Sequence, residues 1–214
     1  MDTNNEVLEL LKKVGAIITD SHFVYTSGKH SSRYVNKMIL FAHPLYASKI
    51  GELFAKKNAD KDIDVVVAPA LGGIILSTWT AYHLSQIKNK EILGIFTEKT
   101  ETSDQVFKRG YDEFVKDKNI LIVEDIVTTG GSIKKVVNSV KAAGGKIAQT
   151  CSMLNINEKP ESITQEIIGA PFSSLLDLPA EVYEEADCPL CKSNVPINTT
   201  VGHGKKFLEA KKQA

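Results

Sequence analysis

The segment ILIVEDIVTTGGS, residues 120–132, sets two neighbouring acids, Glu124 and Asp125, between an apolar run and a small polar loop of Thr128, Thr129, Gly130, Gly131 and Ser132. Residue types and spacing divide the available chemistry in two. Glycines let the backbone approach a ligand closely, and successive main-chain N–H groups that lead into a helix make an anion site. Carboxylates touching the same anion would repel it, so Glu124 and Asp125 suit a neutral or cationic neighbour, such as sugar hydroxyls or Mg²⁺. The plain alternative makes one acid a helix N-cap or a solvated turn residue. Two acids directly after an apolar run, with Gly130 five residues beyond Asp125, speak against it.

A second glycine loop has the same setting. Pro69-Ala70-Leu71-Gly72-Gly73 follows the β-branched run Val65-Val66-Val67 and Ala68. Either loop alone could be a tight turn, but two at successive strand ends favour a ligand with more than one phosphate. Two common nucleotide fingerprints, Gly-x-x-x-x-Gly-Lys-Ser/Thr and Gly-x-Gly-x-x-Gly after a strand, are absent.

The elements that must position these loops repeat one order. Val7, Leu8, Leu10, Leu11 and Val14 form a helical face that Gly15 stops, and residues 45–57 read as a helix after Pro44. Residues 17–41 mix short strand-like runs with a donor-rich loop. The unbroken apolar run at 65–68 predicts a strand covered on both faces, residues 92–97, 120–123 and 147–154 predict further strands with one more within 167–176, and residues 74–84 and 133–143 predict helices. Strand, loop and helix in repetition imply an α/β fold with a central parallel sheet flanked by helices. In such a sheet the ligand lies beyond the carboxyl ends of the strands.

Composition bounds the rest. A chain of 214 residues with 43% hydrophobic content can bury a sizeable core as one α/β domain with a small appendage. Lys+Arg and Asp+Glu are both 26, so no bulk charge draws the protein to nucleic acid or membrane. Trp79 and the tyrosines form no stacking ladder and read as packing. The N-terminus lacks the apolar core of a secretory signal and no apolar stretch reaches the ~20 residues of a membrane span, which with three cysteines leads to the expectation of a cytoplasmic protein. Cys188-x-x-Cys191 supplies two zinc donors and His203 a third, without an evident fourth. The pair therefore reads as reduced thiols in a turn that closes the domain, with no metal site assigned.

Val-Glu-Asp-Ile-Val-Thr-Thr-Gly-Gly-Ser, residues 123–132, resembles the phosphoribosyl-pyrophosphate motif of the type I phosphoribosyltransferases. Residues 23–37, FVYTSGKHSSRYVNK, are similar to the N-terminal hood segment of the orotate branch, and residues 67–73, VAPALGG, to its pyrophosphate loop. Thr97-Glu98-Lys99, Lys108-Arg109-Gly110 and Cys188-Pro189-Leu190-Cys191 also resemble one bacterial and archaeal group of that branch. The resemblance runs from about Val14 to Pro196 and implies segments 1–40 (helix and hood), 41–180 (phosphoribosyltransferase core) and 181–214 (Cys-x-x-Cys segment and basic tail, completing the hood).

The resemblance further implies that Glu124 and Asp125 hold the ribose 2- and 3-hydroxyls and that the stretch Ile126, Val127, Thr128, Thr129, Gly130, Gly131 and Ser132 carries the 5-phosphate cradle. Ala70, Leu71, Gly72 and Gly73 would receive the pyrophosphate, helped by Mg²⁺. Lys99, with Lys108 or Arg109, would sit on a mobile stretch, residues 98–118, that closes over the site from the partner subunit of a homodimer and neutralises the leaving pyrophosphate. The implied activity is transfer of 5-phosphoribose from phosphoribosyl pyrophosphate to a nucleobase, orotate first. Alternatives are a purine or other base, or a non-catalytic sensor of phosphoribosyl pyrophosphate. Three departures concern the base and the catalytic loop. The arginine expected to pair with a substrate carboxylate is missing at Asn155-Ile156, no histidine stands beside the lysines between Lys99 and Gly110, and Thr26 replaces a lysine before Ser27-Gly28.

Overall fold

The β-branched run at 65–67 lies in the middle of a sheet, as a strand apolar on both faces must. The computed structural model describes residues 3–212; Met1, Asp2, Gln213 and Ala214, the outer ends of the first and last expected segments, lie outside the described residues. In chain order the elements are α1 (Thr3–Lys13), β1 (Ile17–Ile18), β2 (Phe23–Val24), β3 (His30–Ser31), β4 (Tyr34–Val35), α2 (Lys37–Phe41), α3 (Pro44–Lys57), β5 (Val65–Pro69) and α4 (Gly72–Lys88). They continue with β6 (Leu93–Lys99), β7 (Gln105–Val106), β8 (Asn119–Val127), α5 (Gly131–Ala142), β9 (Lys146–Asn155), α6 (Gln165–Ile168), β10 (Phe172–Asp177), α7 (Pro189–Lys192) and α8 (Gly204–Lys211).

The six-stranded sheet has the order β10-β9-β8-β5-β6-β7, parallel except for β7 against β6. Alternate side chains of β5 and β8 serve opposite faces. Val66, Ala68, Leu121 and Val123 join α1, α3 and α4 through Leu11, Phe54, Leu76 and Leu84. Val65, Val67, Ile120 and Ile122 join α5 and α6 through Ile133, Val136, Val137, Val140 and Ile168. Each buried aliphatic side chain contributes about 1.5–3 kcal/mol, so the central strands are fixed from both sides.

Three expectations change in detail. β8 runs past the apolar stretch 120–123 to Val127, so Glu124 and Asp125 lie inside the strand, where Glu124 pairs with Ser152 and Val127 with Asn155 of β9. The ladder uses main-chain groups and tolerates acids near its end. The region 167–176 divides into α6 and β10, separated at Gly169, whose φ of 85° ends the helix in the left-handed region. The stretch 98–118 is tied down: Glu98 pairs with Val106 and Lys99 with Gln105, and hydrogen-bonded turns follow.

The segment between α1 and α2 forms two small antiparallel ladders, β1 with β4 and β2 with β3. The chain after β10 returns to them through isolated bridges, His22 with Ile197 and His30 with Tyr183.

Candidate active site

At the carboxyl ends of β5, β6 and β8 lies a cavity of about 580 Å³. Ala70, Leu71 and Gly72 wall one side, Glu124, Asp125 and Ile126 the floor, and Thr129, Gly131 and Ser132 the other side, with Lys37, Lys99 and Lys135 around them. The two glycine loops and the acid pair expected from sequence are thus brought together.

The phosphate-type loop is shaped by position-specific glycines. Gly130 has φ 79°, and a Cβ there would stand 2.7 Å from Ile168 Cδ1, so a side chain is excluded by strain and by packing. It is the N-cap of α5, and no side chain caps that helix. The first N–H groups of α5 are left for a ligand, where the helix dipole favours negative charge. The same holds at α4, whose N-cap Leu71 also offers no side-chain cap; the Ala70–Leu71 peptide bond preceding it is cis. Gly72 clears space for the acids, since a Cβ there would meet Asp125 Oδ2 at 2.5 Å.

The acids are differentiated by their surroundings. Asp125 Oδ1 accepts from Lys37 Nζ at 2.7 Å and from the Ile126 amide at 2.6 Å. Glu124 Oε1 accepts from the Asp125 amide, at 2.9 Å. Burial, and then the neighbouring Asp125 charge, push the Glu124 carboxyl well above the usual carboxylate range. One acid is thus paired with a cation, and the other is poised to hold a proton and give it to a hydrogen bond.

Other expected residues fall elsewhere. Gly73 and Val127 do not line the cavity: a Cβ on Gly73 would meet the Ala68 Cβ at 2.7 Å, and Val127 is buried in the α5-side core. Lys108 and Arg109 pair with Glu98 at 3.3 and 3.1 Å, outside the cavity. Burial acts to raise the Glu98 carboxyl, but these two cations outweigh it and hold it low. Lys99 lines this cavity, where the β6–β7 pairing holds it. Lys37 and Lys135 were not anticipated as site residues. Lys135 was findable, because it stands one turn after Gly131 on the same face of α5; its Nζ donates to the Ser103 carbonyl at 2.6 Å. Lys37 has no sequence signal of its own, being brought in by the α2 turn from a distant part of the chain.

A second cavity of about 380 Å³ adjoins the first and shares Lys37, Ile126 and Thr129. Tyr25, Tyr34, Val35, Ile156, Ala180 and Val182 give it apolar walls, with Thr128, Lys29, Asn157 and His203 at its rim. Lys29 is paired with Glu158 at 2.7 Å. Asn155, where an arginine was expected, is buried and donates to the Pro160 carbonyl at 3.1 Å.

Comparison with known proteins gives the family. The phosphoribosyl transferase domain matches residues 36–170, and the chain belongs to that family. The orotate phosphoribosyltransferase of Thermotoga maritima is 38% identical over 201 residues, covering 94% of this chain and 100% of that protein. The orotate phosphoribosyltransferase of Thermus thermophilus is 34% identical over 192 residues, 90% of this chain and 98% of that protein. Among solved structures, the Mycobacterium tuberculosis orotate phosphoribosyltransferase superposes with a TM-score of 0.63 at 22% identity, over 83% of this chain and 97% of that one, and so shares the fold.

Among the described residues no helix is long and apolar enough to cross a membrane. Cys188 and Cys191 also find company: His22 and His30 lie beside them, with the four ligand atoms within 4.8 Å of one another. His203, the donor suggested by sequence, instead bonds Thr26 Oγ1 through Nε2 at 2.9 Å.

Proposed function

We propose that the protein transfers 5-phosphoribose from phosphoribosyl pyrophosphate to orotate, giving orotidine 5-phosphate and pyrophosphate in pyrimidine synthesis. The observation that carries this reading is the convergence on one cavity of two uncapped helix N-termini and a buried acid pair. The α5 N-terminus with Thr129, Gly131 and Ser132 holds the 5-phosphate. Glu124 and Asp125 hold the ribose hydroxyls, one as donor and one as acceptor. The loop of Ala70, Leu71 and Gly72 receives the pyrophosphate, and Lys99 offsets the charge that builds on it. The second cavity takes the base: its tyrosines and aliphatic walls suit a flat heterocycle, and Lys29 and Lys37 supply cationic partners for a carboxylate in place of the missing arginine.

In the reaction the base nitrogen bonds the anomeric carbon as the bond to the pyrophosphate oxygen breaks, and the nitrogen's proton passes to solvent water. Positioning and electrostatic stabilisation supply most of the rate. Mg²⁺ fits the site through the buried Asp125, which offers a hard carboxylate to the cavity. When bound it would neutralise pyrophosphate charge. The terminal segments 1–40 and 181–214 are read as the hood over the core 41–180, supported by the bridges His22–Ile197 and His30–Tyr183. A homodimer is proposed on the exposed Leu45 of α3 and Tyr82 of α4, 82% and 52% accessible, and a reducing, cytoplasmic location on the free cysteines.

The test is a base panel with phosphoribosyl pyrophosphate and Mg²⁺, following pyrophosphate release. Turnover is expected with orotate. Release with hypoxanthine or guanine but not orotate would overturn the base assignment, and binding of phosphoribosyl pyrophosphate without turnover of any base would make the protein a sensor.

A further inference from the structure

His22 precedes β2 and His30 opens β3. Because Val24 pairs with His30 across that hairpin, His22 and His30 are diagonal neighbours on one face. Cys188 is the N-cap of the single-turn α7, and Cys191 lies within that turn. The two thiols and two imidazoles come from chain segments more than 150 residues apart, with Cys188, His22 and His30 at 0%, 1% and 0% accessibility. Four soft or borderline donors in one buried group demand a physical account.

The distances supply one. Cys188 Sγ lies 3.7 Å and Cys191 Sγ 3.8 Å from His22 Nε2, and Cys191 Sγ lies 3.4 Å from His30 Nδ1. Zn–N bonds of about 2.0–2.1 Å and Zn–S bonds of about 2.3 Å, at tetrahedral angles, separate ligand atoms by about 3.3–3.8 Å. His22 Nε2 and His30 Nδ1 are closer, at 2.7 Å, and open by a fraction of an ångström on metal binding, while the remaining pairs, within 4.8 Å, close by up to about an ångström. The tautomer of His22 is settled by its outer contact: Nδ1 lies 2.8 Å from the Val195 carbonyl, which can only accept, so Nδ1 carries the proton and Nε2 presents its lone pair inward. Such an outer hydrogen bond is the usual orienting partner of a metal-bound imidazole. Without a cation, His30 Nδ1 would have to donate to His22 Nε2, leaving the buried Nε2 of His30 as a lone pair with no donor. A divalent ion would take the place of the proton between the facing nitrogens, and with two thiolates and two neutral imidazoles the group sums to zero charge, as burial requires; His30 Nε2 is without a partner in either case.

We propose that His22 Nε2, His30 Nδ1, Cys188 Sγ and Cys191 Sγ form a closed tetrahedral Cys₂His₂ site for Zn²⁺. With all four positions filled by the protein, the site is structural, with no place for substrate or an activated water. It ties the C-terminal segment to the β2–β3 hairpin, the two pieces that wall the second cavity through Tyr25 and Lys29 on one side and Ala180 and Val182 on the other.

The experiment is elemental analysis of the full-length protein, purified under reducing conditions without chelator and passed over a desalting column. About one zinc per chain is expected, and titration with an organomercurial should release it in step with modification of Cys188 and Cys191. The double substitution Cys188→Ser/Cys191→Ser should lower zinc occupancy at least about tenfold, a loss of the size seen when metal-site partners are removed. If that variant does not fold, Co²⁺ exchanged into the wild type decides: an intense tetrahedral thiolate–cobalt spectrum is expected. Protein that takes up no zinc when titrated with Zn²⁺, zinc retained by the double variant, an octahedral cobalt spectrum, or a Cys188–Cys191 disulfide in the reduced preparation would each overturn the proposal. These readouts do not depend on which base is transferred.

Discussion

The strand-end cavity and the paired terminal segments beside it are held by different forces. The cavity floor belongs to β8, which is paired on both sides by β5 and β9 and buried between two apolar layers. The terminal segments meet through single bridges and polar ties: Asn198 N to the His22 carbonyl at 2.7 Å, His203 N to the Val24 carbonyl at 2.9 Å, and Asn198 Nδ2 donating to Ser21 Oγ at 3.2 Å. Where phosphate and ribose are to be held, geometry is bought with hydrophobic burial. Where the base is proposed to enter and leave, short ladders and side-chain ties take over, and regions held in this way open at lower free energy.

Substitutions should therefore separate chemistry from fold in opposite ways in the two regions. The largest effect is expected from Asp125→Asn. The carboxylate is replaced by a neutral group of equal size, leaving Lys37 without its counter-charge, while the surrounding packing is unchanged. Turnover should fall about 10²–10³-fold, in the range of losing one preorganised electrostatic partner, with a melting temperature close to that of the wild type. Undiminished turnover would refute the assigned role, and unfolding would refute the claim that the sheet alone fixes the floor. Lys99→Ala comes next. Its side chain lines the cavity, and if it serves the leaving group as proposed, kcat should fall roughly 10–100-fold with a smaller change in phosphoribosyl pyrophosphate affinity. Equal losses in both would reduce Lys99 to a ground-state binder.

The same contrast explains what could be read from sequence. The two central strands, β5 and the start of β8, announce themselves as unbroken runs rich in β-branched residues, and the acids and the glycine loop before α5 are contiguous in the chain within residues 120–132. The end of β8 was misplaced because main-chain pairing with β9 carries the strand through two acids that hydropathy reads as its stop. Lys37 and the second cavity were invisible because their parts come from separated stretches. The grouping of His22 and His30 with the cysteines was missed for the same reason: Cys188-x-x-Cys191 is a local signal, but its partners lie more than 150 residues earlier on a hairpin whose strands are two residues long. Short elements leave almost no periodicity to read.

In the terminal segments, Asn198→Ala tests the other side of the comparison. Its Oδ1 accepts from the Thr200 and Val201 amides and from Thr200 Oγ1, and its loss should cost about 1–2 kcal/mol. The consequence for catalysis should be a raised KM for the base with phosphoribosyl pyrophosphate binding unchanged, measured by initial rates against each substrate. A matching loss in phosphoribosyl pyrophosphate affinity would show that the two regions are mechanically one.

The smallest effect sharpens the account of the rigid region. Burial first, and then the Asp125 charge, raise the Glu124 carboxyl above its ordinary value of 4.5. A carboxyl raised in this way binds its proton more tightly folded than unfolded, so its ionisation opposes folding. The cost is absent below the unfolded value, grows as pH rises past about 4.5, and is complete above the folded value. Glu124→Gln keeps an oxygen to accept the Asp125 amide and removes that cost. The variant should be more stable than the wild type at pH 7.5, by about 1 kcal/mol, with the two melting temperatures converging near pH 4, while its turnover falls. A variant less stable at pH 7.5 would mean that the Glu124 charge is compensated in the fold. A stabilised but slower enzyme would show that the tightly packed floor carries an unfavourable group which the flanking apolar layers offset, and that this group is retained for the ligand it holds.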